Sequence, residues 1–223
     1  MLIAGFNKTS LLDFPGKISA VVFTPYCNMR CTYCHNLHLL SDPSQTVDEE
    51  AVFEHLRKRR DLLQGLVVTG GEPTLRPDLP LFLHRVKEMG FQIKLDTNGS
   101  DPQMLRSLAQ SRLIDYVAMD IKAPWDRYEQ IAGAGRWVSL VQESVRWLQE
   151  SGLPHEFRTT FCPQLSMGDI ALIGQTVFPS PYFLQQYRVP AQGGPAPHPA
   201  TLLKQTQTLL LNHGVSCTLR GVD

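Results

Sequence analysis

The sequence has no surplus of charge of either sign: Lys plus Arg and Asp plus Glu each total 21, for a formal net charge of +0. That balance removes the electrostatic argument for a nucleic-acid-binding or membrane-surface protein. It has no long hydrophobic run either, nothing near the roughly 20 apolar residues that span a bilayer. The opening Met1-Leu2-Ile3-Ala4-Gly5-Phe6-Asn7-Lys8 lacks the basic start and apolar core of a secretory leader. No internal repeat and no low-complexity tail is visible. These absences predict a cytoplasmic protein whose five cysteines stay reduced, so that clustered cysteines indicate metal or redox work. At 223 residues the expectation is a single domain, with a core over about 17–190 and a C-terminal extension over 191–223. A chain of this length buries roughly 70% of its unfolded surface and needs no metal merely to fold. The densest basic run, Arg57-Lys58-Arg59-Arg60, reads as the solvated end of a helix.

Beyond residue 17, strand-like runs at 18–24, 65–69, 91–96, 116–121, 156–161 and 182–188 alternate with helical segments. The first helix has a capping box, Thr46 with Glu49, ahead of Val52, Phe53 and Leu56 on one face. The second starts near Asp78 and stops at Gly90; the third has Asp101 as cap and Pro102 at its first position. A fourth carries Val141, Val145 and Leu148 and ends at Gly152, and a fifth covers about 166–177. Repeated βαβ units imply an α/β fold with a parallel sheet. Six strands are too few for a closed eight-stranded barrel. The expected architecture is therefore a partial, open (β/α)6 TIM-like barrel with a short N-terminal extension, the alternative being a doubly wound sheet. The segment Pro190–Pro199 is a loop by composition; a helix through Leu202, Leu203, Leu209 and Leu210 and a strand over 215–219 follow it.

Cys27-Asn-Met-Arg-Cys31-Thr-Tyr-Cys34 follows the first apolar strand directly. Three thiolates can hold a metal centre and leave a coordination position open, which separates a reactive centre from a structural one. A strand feeding such a loop places it at the carboxyl end of a sheet, where α/β folds put their chemistry. Cys31-Thr-Tyr-Cys34-His35 also matches covalent haem attachment, a chemistry that normally needs export. Structural zinc on the three cysteines and His35 would crowd adjacent ligands onto one ion. A redox CxxC leaves Cys27 unexplained, whereas an iron–sulfur cluster with one open iron uses all three cysteines. Cys162 and Cys217 lack partners at ligand spacing and read as core.

Val67-Val68-Thr69-Gly70-Gly71-Glu72-Pro73 ends the second strand. Two glycines there let backbone N–H groups approach a ligand, and Glu72 can accept from a ligand ammonium group; an ordinary turn is the other reading. Leu95-Asp96-Thr97-Asn98-Gly99 and Met119-Asp120-Ile121-Lys122 end the third and fourth strands and repeat the pattern of polar oxygens at successive strand ends. Arg158 lies in the fifth strand; pointing inward, it would need a paired anion.

CxxxCxxC after the first strand with GGEP after the second resembles the radical S-adenosylmethionine superfamily over about residues 5–190. Within it, the stretch from Gly5-Phe-Asn-Lys-Thr-Ser-Leu-Leu-Asp-Phe-Pro-Gly-Lys-Ile-Ser on through Cys34-His35-Asn36 is most similar to the anaerobic ribonucleoside-triphosphate reductase activating proteins. The resemblance implies a four-iron four-sulfur cluster on Cys27, Cys31 and Cys34, whose open iron chelates the amino and carboxylate groups of S-adenosylmethionine. It implies Tyr33 near the adenine, Gly70, Gly71 and Glu72 around the methionine moiety, and Lys122 and Arg158 as further cofactor contacts. In the related pyruvate formate-lyase activases the matching LDTNG and MDIK segments bind a monovalent cation, which here points to Asp96, Thr97, Met119 and Asp120. The implied reaction takes an electron from a flavodoxin-like or ferredoxin-like donor, cleaves the sulfonium bond to a 5′-deoxyadenosyl radical, and removes a hydrogen atom from a glycine of a partner reductase. One departure is Asp13-Phe14-Pro15-Gly16, where many activases carry Asp-Gly-Pro-Gly; it puts the partner in doubt more than the chemistry. Alternatives are activation of pyruvate formate-lyase or another glycyl-radical enzyme, a small-molecule enzyme such as a 7-carboxy-7-deazaguanine synthase, and a non-catalytic zinc module.

Overall fold

The computed structural model describes residues 1–41, 43, 45–190 and 193–222. The chain resolves into two compact units. One comprises Met1–Asn28, Asn36–Thr97 and Asp101–Val117, the other Met29–His35, Asn98–Ser100 and Ala118–Asp223.

In the first unit the elements run β1 (Gly5–Ser10), β2 (Ser19–Thr24), α1 (Glu49–Lys58), β3 (Gly65–Gly70), α2 (Leu79–Glu88), β4 (Gln92–Thr97) and α3 (Pro102–Gln110). β1 pairs antiparallel with β2, while β2, β3 and β4 are parallel and in chain order. The apolar runs that predict these strands are buried on both faces, as parallel strands require. Val22, Val68 and Leu95 are enclosed on one face. On the other, Val21 and Val67 join Phe14 in an apolar cluster against which Phe23 and Tyr116 pack. The register sets Val21 opposite Val67 and Val67 opposite Lys94, so that lysine enters the sheet on the clustered face.

Two sequence expectations are corrected in this unit. β1 lies within the stretch read as an extension before residue 17. It is half-exposed and shows no apolar alternation; backbone pairing with β2 holds it. Helix α1 is capped by Asp48, whose side chain accepts from the Glu50 N–H, and not by Thr46. Val47 is held extended by a bridge to Ile3, so the helix cannot begin earlier, and Glu49 pairs with Arg85 at 2.7 Å and with the N-terminal amine. Asp101 and Pro102 start α3 as expected, and Gly90 follows α2 at φ +87°. The basic run ends α1, with Arg57 and Lys58 exposed and paired to Glu50 and Glu54.

β5 (Tyr116–Asp120) leads into the second unit, which continues with α4 (Tyr128–Ala132), α5 (Val138–Ser151), β6 (His155–Phe161), α6 (Met167–Val177), β7 (Tyr182–Gln186), α7 (Ala200–Asn212) and β8 (Cys217–Arg220). β6, β7 and β8 are parallel, with Phe157 opposite Tyr182 and Tyr182 opposite Cys217. Gly152 closes α5 in the left-handed conformation, and Ser166 with Asp169 forms a complete capping box at the start of α6. Glu156, fully enclosed, receives a two-pronged pair from Arg220 at 2.6 and 2.8 Å. Cys162 and Cys217 are core residues as expected, and burial pushes each thiol up to about 11. The Pro- and Gly-rich segment is irregular at 190 and 193–199; residues 191 and 192 of that loop lie outside the described residues. Among the described residues no helix is long and apolar enough to cross a membrane.

Candidate active site

At the carboxyl end of β3 the glycine pair has a packing reason that the sequence did not disclose. A Cβ on Gly70 would stand 2.4 Å from the backbone of Thr24, and one on Gly71 would stand 1.9 Å from the Tyr26 carbonyl oxygen. Gly70 also has φ +122°, a conformation that other residues rarely adopt. The N–H of Gly71 donates to the Thr24 carbonyl at 2.8 Å, and that of Glu72 donates to the Tyr26 carbonyl at 2.7 Å. Both N–H groups therefore fasten this turn to the exit of β2, one residue before Cys27. Of the two glycines expected to present N–H groups to a ligand, Gly71 thus has its N–H engaged within the protein.

Glu72 is fully enclosed. Its Oε1 accepts from the Thr74 N–H at 3.1 Å, the Thr74 hydroxyl at 2.6 Å and the Thr97 hydroxyl at 2.7 Å, the last reaching from the end of β4. Three donors fix the carboxylate's orientation and offset its desolvation. On the same strand, Asp96 is paired with the ammonium group of Lys94, which is 2% exposed.

In the second unit the cysteine loop rests on α4, an element the sequence reading missed. The Arg30 N–H donates to the Ala132 carbonyl at 2.7 Å and the Thr32 N–H to the Ile131 carbonyl at 3.0 Å. Orphan carbonyls at a helix C-terminus thus anchor the loop on either side of Cys31. Gly133, left-handed at φ +56°, follows immediately, and a Cβ there would meet Arg30 at 3.1 Å. A glycine after a five-residue apolar-and-polar stretch was the available signal, and it is a weak one. The Cys34 N–H donates to the Cys31 carbonyl at 3.1 Å, closing the turn.

Tyr33 is 8% exposed, and its hydroxyl is buried without a hydrogen-bond partner among the described residues. Burial, reinforced by the negative potential of Cys31, Cys162 and Asp120, raises its phenol well above the usual value. Asp120, ending β5, receives Arg158 Nε on Oδ1 at 2.8 Å and Lys122 Nζ on Oδ2 at 3.0 Å. Arg158 thus finds the anion it needs. Burial alone would push the Asp120 carboxyl up; Arg158 and Lys122 outweigh it and hold the group below the usual carboxylate range. The Lys122 N–H donates to the Tyr128 hydroxyl at 3.1 Å, which ties this triad to α4. Gly99, at φ +73°, lies against the Met119 side chain, and its carbonyl accepts from Ser144 at 2.7 Å.

The depressed pKa has a testable sign. A carboxyl whose folded pKa lies below its unfolded value of about 3.9 stabilises the fold above that value, and the contribution is lost as pH falls below it. Arg158→Met is expected to lower Tm at neutral pH and to lose that deficit as pH falls below the carboxylate range, so the acid limb of its Tm-against-pH curve is shallower than that of wild type. Superimposable limbs for the variant and wild type would rule out the ion pair as its cause.

The sequence model of the radical SAM superfamily matches residues 21–174. The chain belongs to the radical SAM superfamily. It is 35% identical over 184 residues to a candidate glycyl-radical enzyme activating enzyme of Methanocaldococcus jannaschii, a match covering 79% of this chain and 75% of the relative. It is 31% identical over 186 residues to the pyruvate formate-lyase-activating enzyme of Streptococcus mutans, covering 77% and 69%. Among solved structures it resembles SuiB of Streptococcus suis bound to S-adenosylmethionine, with a TM-score of 0.71 at 14% identity over 90% of this chain. The radical SAM chain described here spans about half of SuiB's length, 52%, and at that identity the likeness establishes the fold alone.

Radical SAM enzymes use a four-iron four-sulfur cluster and S-adenosylmethionine. The chemistry of the donor set suits both. Cys27, Cys31 and Cys34 are half-buried and free of disulfides. No set of three or more ligating side chains among the described residues converges on a single ion. A cubane asks for convergence on one cluster and not on one ion, because each thiolate binds a separate iron. The partnerless Tyr33 hydroxyl is a buried polar group that a bound ligand or water would satisfy. Of the residues expected around a monovalent cation, Asp96, Thr97, Met119 and Asp120, the two carboxylates do not fit one, since each already holds a protein cation.

Proposed function

We propose that this chain is a glycyl-radical enzyme activating enzyme and that its partner is an anaerobic ribonucleoside-triphosphate reductase. The observation that carries the first half is the extent of the matches to the two activating enzymes, three quarters of this chain or more in each case. The second half rests on the similarity of the stretch from Gly5 through Asn36 to reductase activating proteins.

In this reading the chain is a single radical SAM domain. Cys27, Cys31 and Cys34 hold the cluster, and Glu72 takes the ammonium group of the cofactor's methionine moiety. When bound, the cluster and S-adenosylmethionine supply one-electron reductive cleavage of a sulfonium carbon–sulfur bond and removal of a hydrogen atom from a glycine of the partner. The chain's own residues position and enclose. Thr74 and Thr97 hold Glu72 in one orientation, so no reorganisation is needed when a ligand ammonium arrives. Gly70 and Gly71 draw the Glu72 turn close to the cysteine loop's first residue. Tyr33 stands by the adenine, and Asp120, held by Lys122 and Arg158, contributes a fixed charged triad. A flavodoxin-like or ferredoxin-like protein supplies the electron, and the site of action is the cytoplasm.

The test is anaerobic. The protein is reconstituted with iron and sulfide, reduced, and given S-adenosylmethionine with and without the reductase. Formation of 5′-deoxyadenosine together with a glycyl-radical electron paramagnetic resonance signal on the reductase is the expected result. 5′-Deoxyadenosine without that signal on any glycyl-radical protein would favour the small-molecule alternative. A fully loaded cluster that gives no product would remove the radical assignment for this site.

A further inference from the structure

Lys94 occupies a position where lysine is rarely found. It sits in the middle of β4, opposite Val67, on the face that carries the Phe14–Val21–Val67 cluster, and it is 2% exposed. A buried ammonium group is costly unless an anion meets it. Asp96, two residues along the same strand and therefore on the same face, supplies that anion. The Asp96 side chain is itself only 15% exposed, so the pair is shielded from solvent screening. The adjacent Thr97 hydroxyl is directed to Glu72. The second carboxylate in question, Asp120, has both oxygens engaged by Arg158 and Lys122. A free monovalent cation at either carboxylate would face an ammonium or guanidinium group already in contact with it.

We propose that Lys94 is a built-in replacement for a monovalent cation: its ammonium group neutralises Asp96 and positions that carboxylate, so the protein binds its cofactor without potassium or sodium. The inference rests on the assignment of this strand end to the cofactor site, but its principal readout does not need the reaction. In the cluster-free protein, Tm is measured in potassium, sodium and tetramethylammonium chloride at equal ionic strength, tetramethylammonium being too large for such a site. A specific ion present at about 100 times its Kd would raise Tm by roughly 5–10 °C. The wild-type Tm is expected to be the same in all three salts. Affinity for S-adenosylmethionine in the reconstituted protein is expected to agree among the salts within about twofold, a difference too small for differential ion binding.

Lys94→Met removes the charge and keeps the length of the side chain. Its Tm and its affinity for S-adenosylmethionine are expected to fall in tetramethylammonium, the affinity at least about tenfold, and to recover in part with potassium or sodium as the ion takes the vacated place. A purely structural role for Lys94 would show the loss without salt-specific recovery, and that result overturns the proposal. So does a saturable rise of the wild-type Tm with potassium or sodium. Should Lys94→Met not fold, Lys94→Gln takes its place in the same salt series, and a saturable wild-type response removes the inference in either case. Absent cofactor affinity with a flat wild-type Tm would count against the site assignment and leave the cation replacement standing.

Discussion

Cys31→Ala is expected to lower S-adenosylmethionine cleavage by roughly 10³-fold or to background, since a residue acting as part of a catalytic unit takes the whole unit with it. Iron and sulfide content after anaerobic reconstitution should collapse in parallel. The fold should survive. The apolar cores are built mainly from strands and helices, Cys31 itself is half-buried, and backbone bonds from Arg30 and Thr32 to α4 hold the loop without its thiol. Circular dichroism and the Tm of the cluster-free variant should therefore match those of cluster-free wild type. Wild-type iron content or cleavage in this variant would overturn the ligand assignment. Loss of the fold along with the iron would instead show the loop to be a staple.

Gly71→Ala should have the largest effect on stability. The added Cβ would stand 1.9 Å from the Tyr26 carbonyl oxygen, a backbone atom, and the Tyr26 carbonyl also accepts the Glu72 N–H. Relief requires moving either the exit of β2 or the turn that carries Glu72. A cost of about 4 kcal/mol or more is expected, in the exceptional range for one substitution and a large share of a total of roughly 5–15 kcal/mol. For a chain of this length that corresponds to a fall in Tm of roughly 8–16 °C. Gly152→Ala is the control. That glycine is left-handed at φ +70°, but a Cβ added there would meet nothing within 4 Å, so the change should cost only about 1–2 kcal/mol. Equal losses in the two variants would refute the steric account and leave only a general glycine effect.

β2 and β3 were legible because parallel strands buried on both faces are near-continuous apolar runs, and six strands in all were placed within a residue or two at most boundaries. Helix boundaries were legible where local chemistry sets them, as with Asp101 and Pro102 before α3 and Gly152 after α5. Thr46 failed as a cap because a distant residue, Ile3, holds its neighbour Val47 extended. β1 escaped notice because its stability comes from main-chain pairing, which leaves no apolar pattern. Of the candidate site, the cysteine spacing, the GGEP turn and the polar strand ends were readable as motifs. Lys94 was not singled out, since a lysine in a strand ordinarily reads as solvent-facing.

By itself, then, the sequence determined the α/β class, the alternation of strand and helix, and the set of three cysteines with a glycine turn that marks the superfamily. These are decided by local period and by chemistry carried within a few residues. Only the tertiary structure decided that the glycines yield to Tyr26 and Thr24, that α4 carries the cysteine loop, that Asp120 is held by two cations, and that Lys94 meets Asp96 in an enclosed pair. Each of these depends on register and burial, which arise when segments far apart in the chain are packed together.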